Sequence, residues 1–242
     1  MEVLPWGVVR PRGARRPLPA VRFGDDAVVL AALAEAGMLG GDPALVHALH
    51  EPDLNALIEL GSPEWRALRE RLREIVAADA IPARARLALA DCEAVRPVRV
   101  TDFVDFYASL EHATNLGRLY RPGRPALSDN WRHMPVGYHG RASTVVVSGT
   151  PVRRPRGQVA AGELAPTRAL DIECELGYVC GPTQRGPIAI DRADEHLFGV
   201  VIVNDWSARD VQRMEYEPLG PFLGKSFQTS MSAWITPLDA LA

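Results

Sequence analysis

The sequence predicts a mainly β fold with some α, in two parts that divide near residue 98. Three observations predict it. Short apolar runs of strand character recur at 20–23, 144–148, 170–179 and 199–204. Helical signals are fewer, over 62–76, about 106–119 and 207–215. Pro97 and the extended residues 98–100 mark a boundary, because proline and the residue before it resist helix. All five tyrosines, Tyr107, Tyr120, Tyr138, Tyr178 and Tyr216, follow that boundary. The expected domains are therefore 1–98 and 99–242, with the chemistry in the second.

Composition narrows the function classes. With 242 residues and 47% hydrophobic content, the chain suits one large or two small packed domains, not wholesale disorder. A net charge of −3 leaves no general positive field for a polyanion, so nucleic acid is not expected as a partner. The apolar stretch 27–34 is far below the ~18 residues of a membrane span, so no membrane partner is expected either. Residues 1–19 carry Arg10, Arg12, Arg15 and Arg16 among prolines, with no apolar core of a secretory signal, and read as a solvated loop. Cys92, Cys174 and Cys180 lack CxxC spacing; they are expected to be free, small core fillers in a reducing, cytoplasmic compartment.

In the first part the clearest element is the helix at 62. Ser62 serves as its expected N-cap, Pro63 takes the first helical position and Glu64 the first turn, before Trp65, Leu68, Leu72, Ile75 and Val76 at helical spacing. This is scaffold. His47 and His50 sit three apart and read as a solvated helix face, not a metal pair.

Carboxylates gather in the second part. On a strand over 170–179, Asp171, Glu173 and Glu175 line one face and Ile172, Cys174 and Leu176 the other, apolar and expected to be buried. Three like charges on one face call for a counter-charge: a hard cation such as magnesium or calcium, or arginines on a solvated sheet face. The apolar run 199–203 ends at Asn204-Asp205, where Asp205 either joins Glu173 and Glu175 or caps the next helix. On that helix Arg209, Gln212 and Tyr216 share a face. Asp105 and His112, seven apart, share a face if a helix begins near Asp105, and would pair a carboxylate with an imidazole suited to deprotonating water.

Lys225 is the only lysine among 27 cationic residues, so its position either requires an ammonium or kept one by chance. It lies in GPFLGKS, which has three residues between its glycines where a phosphate loop needs four, so nucleotide chemistry is disfavoured.

Taken together, DFVDFYASLEHATNLGRLYRP (102–122), WRHMPVGYHGRASTVVVSGTPVRRPRGQ (131–158), ALDIECELGYVCG (169–181) and the run from HLFGVVIVNDWSARD through PLGPFLGKSF to LDAL (196–241) closely resemble the fumarylacetoacetase family. The resemblance implies a small N-terminal SH3-like β-barrel domain and a mixed β-roll catalytic domain. It implies metal ligands at Asp105, Glu173, Glu175 and Asp205, with Lys225 and Thr229 as neighbours, and Mg2+ or Ca2+ as the ion. It further implies His112 as general base, with Arg209, Gln212 and Lys225 stabilising the oxyanion and leaving group. Substrate contacts are implied at Tyr107, Arg121, Tyr138, Arg209, Gln212 and Tyr216. The implied reaction is hydrolysis of a carbon-carbon bond in 4-fumarylacetoacetate, in tyrosine and phenylalanine catabolism, by a homodimer.

Family chains continue past the position of Ala242, through strands that close the catalytic fold and carry a carboxylate that orients the histidine. The expectation is that the intact product is the hydrolase and the 242-residue chain a truncated or inactive version. The alternatives are a metal-dependent acylpyruvate hydrolase, isomerase or decarboxylase of the same superfamily, or a non-catalytic fragment.

Overall fold

The computed structural model describes residues 2–241. Its first part contains β1 (Trp6–Pro11), β2 (Leu18–Phe23), β3 (Asp26–Val29), α1 (Leu30–Glu35), α2 (Pro43–Leu49), α3 (Asn55–Glu59), α4 (Ser62–Ala77), β4 (Arg86–Ala88) and β5 (Cys92–Val95). Then follow β6 (Val104–Phe106), α5 (Leu110–Tyr120), β7 (Gly137–His139), β8 (Val145–Val147), β9 (Arg156–Ala160), β10 (Glu163–Pro166), β11 (Leu170–Asp171) and β12 (Cys174–Cys180). The chain continues through β13 (Leu197–Asp205), β14 (Ser207–Ala208), α6 (Arg209–Glu215), α7 (Leu223–Ser226), β15 (Thr229–Met231) and β16 (Trp234–Ile235). The fold is mixed and strand-rich, as the sequence predicts.

An antiparallel sheet runs β16-β1-β2-β3-β4, with β5 also on β1. On one side of β1, β16 pairs with Trp6 and Gly7, while β5 pairs with residues from Val8 to Pro11. The sheet thus recruits a strand from the end of the chain. The N-terminal segment is accordingly not a solvated loop: Trp6, Val8 and Val9 are fully buried, whereas the arginine-rich turn between β1 and β2 is exposed. The apolar alternation within WGVV outweighs the flanking arginines.

One apolar core spans both parts. Trp6 stacks on Phe198 at 5.6 Å, and Trp65 meets the same ring edge-on at 5.1 Å, so β1, α4 and β13 share it. Trp65, Leu68, Leu72 and Ile75 are buried as their spacing predicts, although the N-cap is Gly61, one residue before Ser62. Arg69 of α4 is only 3% exposed and donates to the carbonyls of Leu4 at 2.8 Å and Val3 at 2.9 Å, and to Asp239 at 3.3 Å. It ties the first residues, the helix and the end of the chain together. His47 is exposed, and the half-buried His50 donates from Nε2 to the Glu35 carboxylate at 3.3 Å.

The second sheet, β12-β13-β15-β8, carries the site. Its edge strand β12 corrects one expectation. Glu173 and Glu175 turn inward, and the apolar alternates Ile172, Leu176 and Tyr178 are 58%, 63% and 56% exposed. The carboxylates have the stronger claim on the interior because Lys225 and Arg209 lie there, and a buried charge must be paired. The expected strand over 170–179 also breaks at Ile172 and Glu173, where β11 leaves to pair with β14. The cysteines are free but not core fillers: Cys174 and Cys180 are exposed on this outer face, and Cys92 is half-buried. Among the described residues no helix is long and apolar enough to cross a membrane.

Candidate active site

Three strands deliver the acidic groups. Asp105 stands in the middle of β6, opposite Tyr138 on β7. It is not on the helix of His112, because Ser109 caps α5 by accepting from the His112 N–H at 3.3 Å and the helix begins only at Leu110. Glu175 lies on β12 opposite Val203, and Asp205 ends β13 opposite Thr229. Asp205 N–H donates to the Glu173 carbonyl at 3.1 Å, which locks the two strand ends in register. Asp205 does not cap α6, whose N-cap is Ala208.

Oxygens of Asp105, Glu175 and Asp205 lie within 4.8 Å of one another, the one such group of potential metal ligands among the described residues. Burial and the Asp205 charge push the Asp105 carboxyl up to about 6, and burial with Asp105 and Asp205 pushes Glu175 up to about 9. Burial also raises Asp205, against the opposing pull of Lys225. Asp105 Oδ2 and Asp205 Oδ1 are buried without a hydrogen-bond partner. Two orphaned hard donors in a cluster of mutually repelling acids fit a divalent cation.

Glu173 takes a different position. It is bound by Lys225 Nζ at 2.7 Å and Arg209 Nη2 at 2.7 Å, and His112 Nε2 lies 3.5 Å away. Burial would raise its pKa, but these cations hold it below the usual carboxylate range. Lys225, 4% exposed, also donates to Asp205 and so joins the two groups. Burial works against its charge, yet Asp205 and Glu173 raise its pKa. Tyr138 donates to Asp205 Oδ2 at 2.9 Å, and burial raises that phenol. Thr229 is buried beside Asp205.

Arg209 bridges three partners: Asp171 at 2.9 Å, Glu173, and the Gln212 side-chain carbonyl at 3.0 Å. An arginine thus meets the Asp171–Glu173 end of the acidic segment, while Glu175 stands in the cluster with Asp105 and Asp205. Arg121 donates to the Tyr216 hydroxyl and to the Ala126 carbonyl at 2.5 Å. Tyr107 meets the His112 ring edge-on at 5.8 Å, and its hydroxyl donates to the Ala113 carbonyl at 3.0 Å. His112, Arg209, Gln212, Glu173, Lys225, Asp205 and Tyr138 are thus linked side chain to side chain through Glu173 and Lys225, Asp105 and Thr229 stand beside Asp205, Tyr107 lies against His112, and Arg121 pairs with Tyr216.

Sequence reasoning missed Glu215. Its carboxylate accepts from the N–H groups of Phe222 at 2.9 Å and Gly224 at 3.0 Å and so fixes the turn that presents Lys225. Gly224 serves packing in that turn: a Cβ there would stand 2.8 Å from the Gln212 backbone nitrogen. Tyr120, whose hydroxyl is buried and unpartnered, was also missed. Its position just before Arg121 was the only available signal.

Two family models match, one described as Fumarylacetoacetate (FAA) hydrolase C-terminal over residues 102–242 and one as Fumarylacetoacetase N-terminal over 2–98. Fumarylacetoacetase of Homo sapiens is 42% identical over 255 residues, covering 98% of this chain and 60% of that protein. The fumarylacetoacetase of Oryza sativa subsp. japonica is 42% identical over 261 residues, covering 100% and 61%. The chain therefore spans about 60% of the length of these relatives. Among solved structures, the fumarylacetoacetate hydrolase of psychrophilic Exiguobacterium antarcticum aligns with a TM-score of 0.59 at 18% identity, over 98% of this chain and 67% of that one. A maleylpyruvate hydrolase of Sphingobium sp. SYK-6, in complex with manganese(II) ion and pyruvate, aligns at 0.55 and 18%, over 98% and 68%. At such identities the likeness is one of fold.

Proposed function

The chain belongs to the fumarylacetoacetate hydrolase family, and from that premise we propose that it carries the site of a fumarylacetoacetase, a metal-dependent hydrolase of the carbon-carbon bond of 4-fumarylacetoacetate that yields fumarate and acetoacetate. The observation that carries the reading is the cluster of Asp105, Glu175 and Asp205 with its two orphaned oxygens, set against Lys225, Arg209 and His112.

Asp105, Glu175 and Asp205 would hold Mg2+ or Ca2+, with Glu173 as a further ligand if it exchanges one of its cationic partners, and Thr229 beside them. Bound there, the ion supplies Lewis-acid polarisation of the diketo oxygens. His112 accepts the proton of the attacking water. Arg209 has spent three of its five N–H donors on Asp171, Glu173 and Gln212, leaving two for an oxyanion. Because the side-chain carbonyl of Gln212 accepts from Arg209, its amide N–H groups remain to serve as further donors; one well-aimed donor is worth about 3 kcal/mol. When the bond breaks, its electron pair leaves on the acetoacetate carbon, and that carbon takes a proton from the Lys225 ammonium. Arginine does not release a proton in this range, which accounts for the lone lysine. Tyr107, Arg121, Tyr138 and Tyr216 would contact the substrate.

A homodimer is part of the proposal, supported by the outward apolar face of Ile172, Leu176, Tyr178 and Ile202. Three free cysteines support a reducing, cytoplasmic setting. Loss of fumarylacetoacetate absorbance, with Mg2+ and then with EDTA, tests the activity. Turnover that EDTA stops is the expected result. Turnover of an acylpyruvate alone, or none with added Mg2+, would overturn it in favour of the wider superfamily or of a non-catalytic fragment.

A further inference from the structure

Tyr120 ends α5, and its ring stacks on that of Tyr216 at 6.1 Å and 9°. Each ring of the pair faces a guanidinium, Arg213 at 5.5 Å from Tyr120 and Arg121 at 5.9 Å from Tyr216. Among the described residues neither arginine is paired with a carboxylate; Arg121 spends its donors on the Tyr216 hydroxyl and the Ala126 carbonyl. The rings border a cavity of about 290 Å³ lined also by Arg213, Met214 and Glu217, the last held by Arg124 at 3.4 Å. Arg213 thus stands on the cavity wall without a carboxylate partner while Glu217 is taken up by Arg124, and a cation so placed is a site for an anion.

The Tyr120 hydroxyl is buried and has no hydrogen-bond partner. Burial pushes its pKa up although Arg209 and Arg213 pull it down, so it stays a neutral donor. An O–H group left in this condition is stabilised by any acceptor brought to it. Arg213, over the Tyr120 ring, is exposed and among the described residues has no ion pair to hold it back from an incoming anion.

We infer that Tyr120 is a substrate-contacting residue, whose hydroxyl donates to a carboxylate oxygen of the ligand in an anionic subsite completed by Arg213. The inference rests on the proposed function and extends it to specificity: the subsite favours an elongated dicarboxylate over a ligand with a neutral end. Arg213 draws the carboxylate in, and Tyr120 fixes its register against the stacked Tyr216.

The test measures fumarate binding to the Mg2+-saturated chain by calorimetry, with Tm recorded for each protein. Tyr120→Phe keeps the ring and its stacking and removes only the unpaired hydroxyl. The expected result is binding weaker by about five- to thirty-fold, with the ligand-free Tm unchanged or raised. Arg213→Gln is expected to weaken binding to a similar extent. Unchanged fumarate affinity in Tyr120→Phe would overturn the inference and leave the proposed function standing. A lowered Tm, with or without weaker binding, would assign the hydroxyl to packing and likewise overturn it. Failure of the parent chain to bind fumarate while it binds Mg2+ would overturn the proposed function itself.

Discussion

Replacing Lys225 by Met removes one charge from the centre of the site at nearly constant volume. The ammonium is 4% exposed and bonded to Glu173 at 2.7 Å and to Asp205. Its loss leaves the Asp205 carboxylate, already beside Asp105 and Glu175, with Tyr138 as its only side-chain donor among the described residues. Breaking a buried ion pair from one side costs about 3–5 kcal/mol. The lower end applies here, about 3 kcal/mol, because Arg209 still holds Glu173. In a chain of this size each kcal/mol moves Tm by about 2–4 °C, so thermal unfolding without metal should show a fall of about 6–12 °C. Added Mg2+ should recover much of that loss, since a divalent ion then faces a more negative cluster. A metal-free Tm within about 2 °C of the parent would refute the reasoning, because it would mean that Lys225 does not neutralise the buried carboxylates.

Further predictions concern the same elements. Lys225→Arg keeps the charge but removes the transferable proton, and is expected to abolish most fumarylacetoacetate turnover while leaving Mg2+ affinity nearly unchanged; wild-type-like rates would take Lys225 out of the mechanism. Asp105 and Glu175 are raised to about 6 and about 9, so each stabilises the fold while protonated, an effect present in the ordinary carboxylate range and lost as pH rises through those values. The metal-free Tm should therefore fall between about pH 5 and about pH 9, and Mg2+ should raise it more at the upper end, whereas a Tm that rises across this window contradicts the shifts. Gly224→Ala places a Cβ 2.8 Å from the Gln212 backbone, and is expected to cost about 1–3 kcal/mol in denaturant unfolding through displacement of α7; no loss would mean that the turn carrying Lys225 is not tightly set.

Where local pattern decides a structure, the sequence was sufficient. Trp65, Leu68, Leu72 and Ile75 reported the buried stripe of α4, and the unbroken apolar run 199–203 reported the central strand β13. The acidic segment 171–175 and Asp205 stood out by their charge, but each kept two readings, and Asp105 joined them only through the family resemblance. Long-range competition hid the rest. Which face of β12 turns inward depends on Lys225 and Arg209, some 50 and 36 residues ahead of Glu173 in the chain, so alternation alone chose the wrong face. The pairing of β1 with β16 joins residues 6 and 235, which no window over 1–19 can register. Asp105 fell on a strand because Ser109 captures the helix start, and local helical spacing there gave a false continuity with His112.

Under the proposed function, three carboxylates from β6, β12 and β13 hold one hard divalent cation. Electron paramagnetic resonance of Mn2+, titrated into the chain and into Asp105→Asn and Glu175→Gln variants, tests it directly. The expected result is one bound ion per chain, tighter at higher pH and lost or greatly weakened in both variants. A parent chain that leaves Mn2+ free, or variants that bind it as well as the parent, would contradict it.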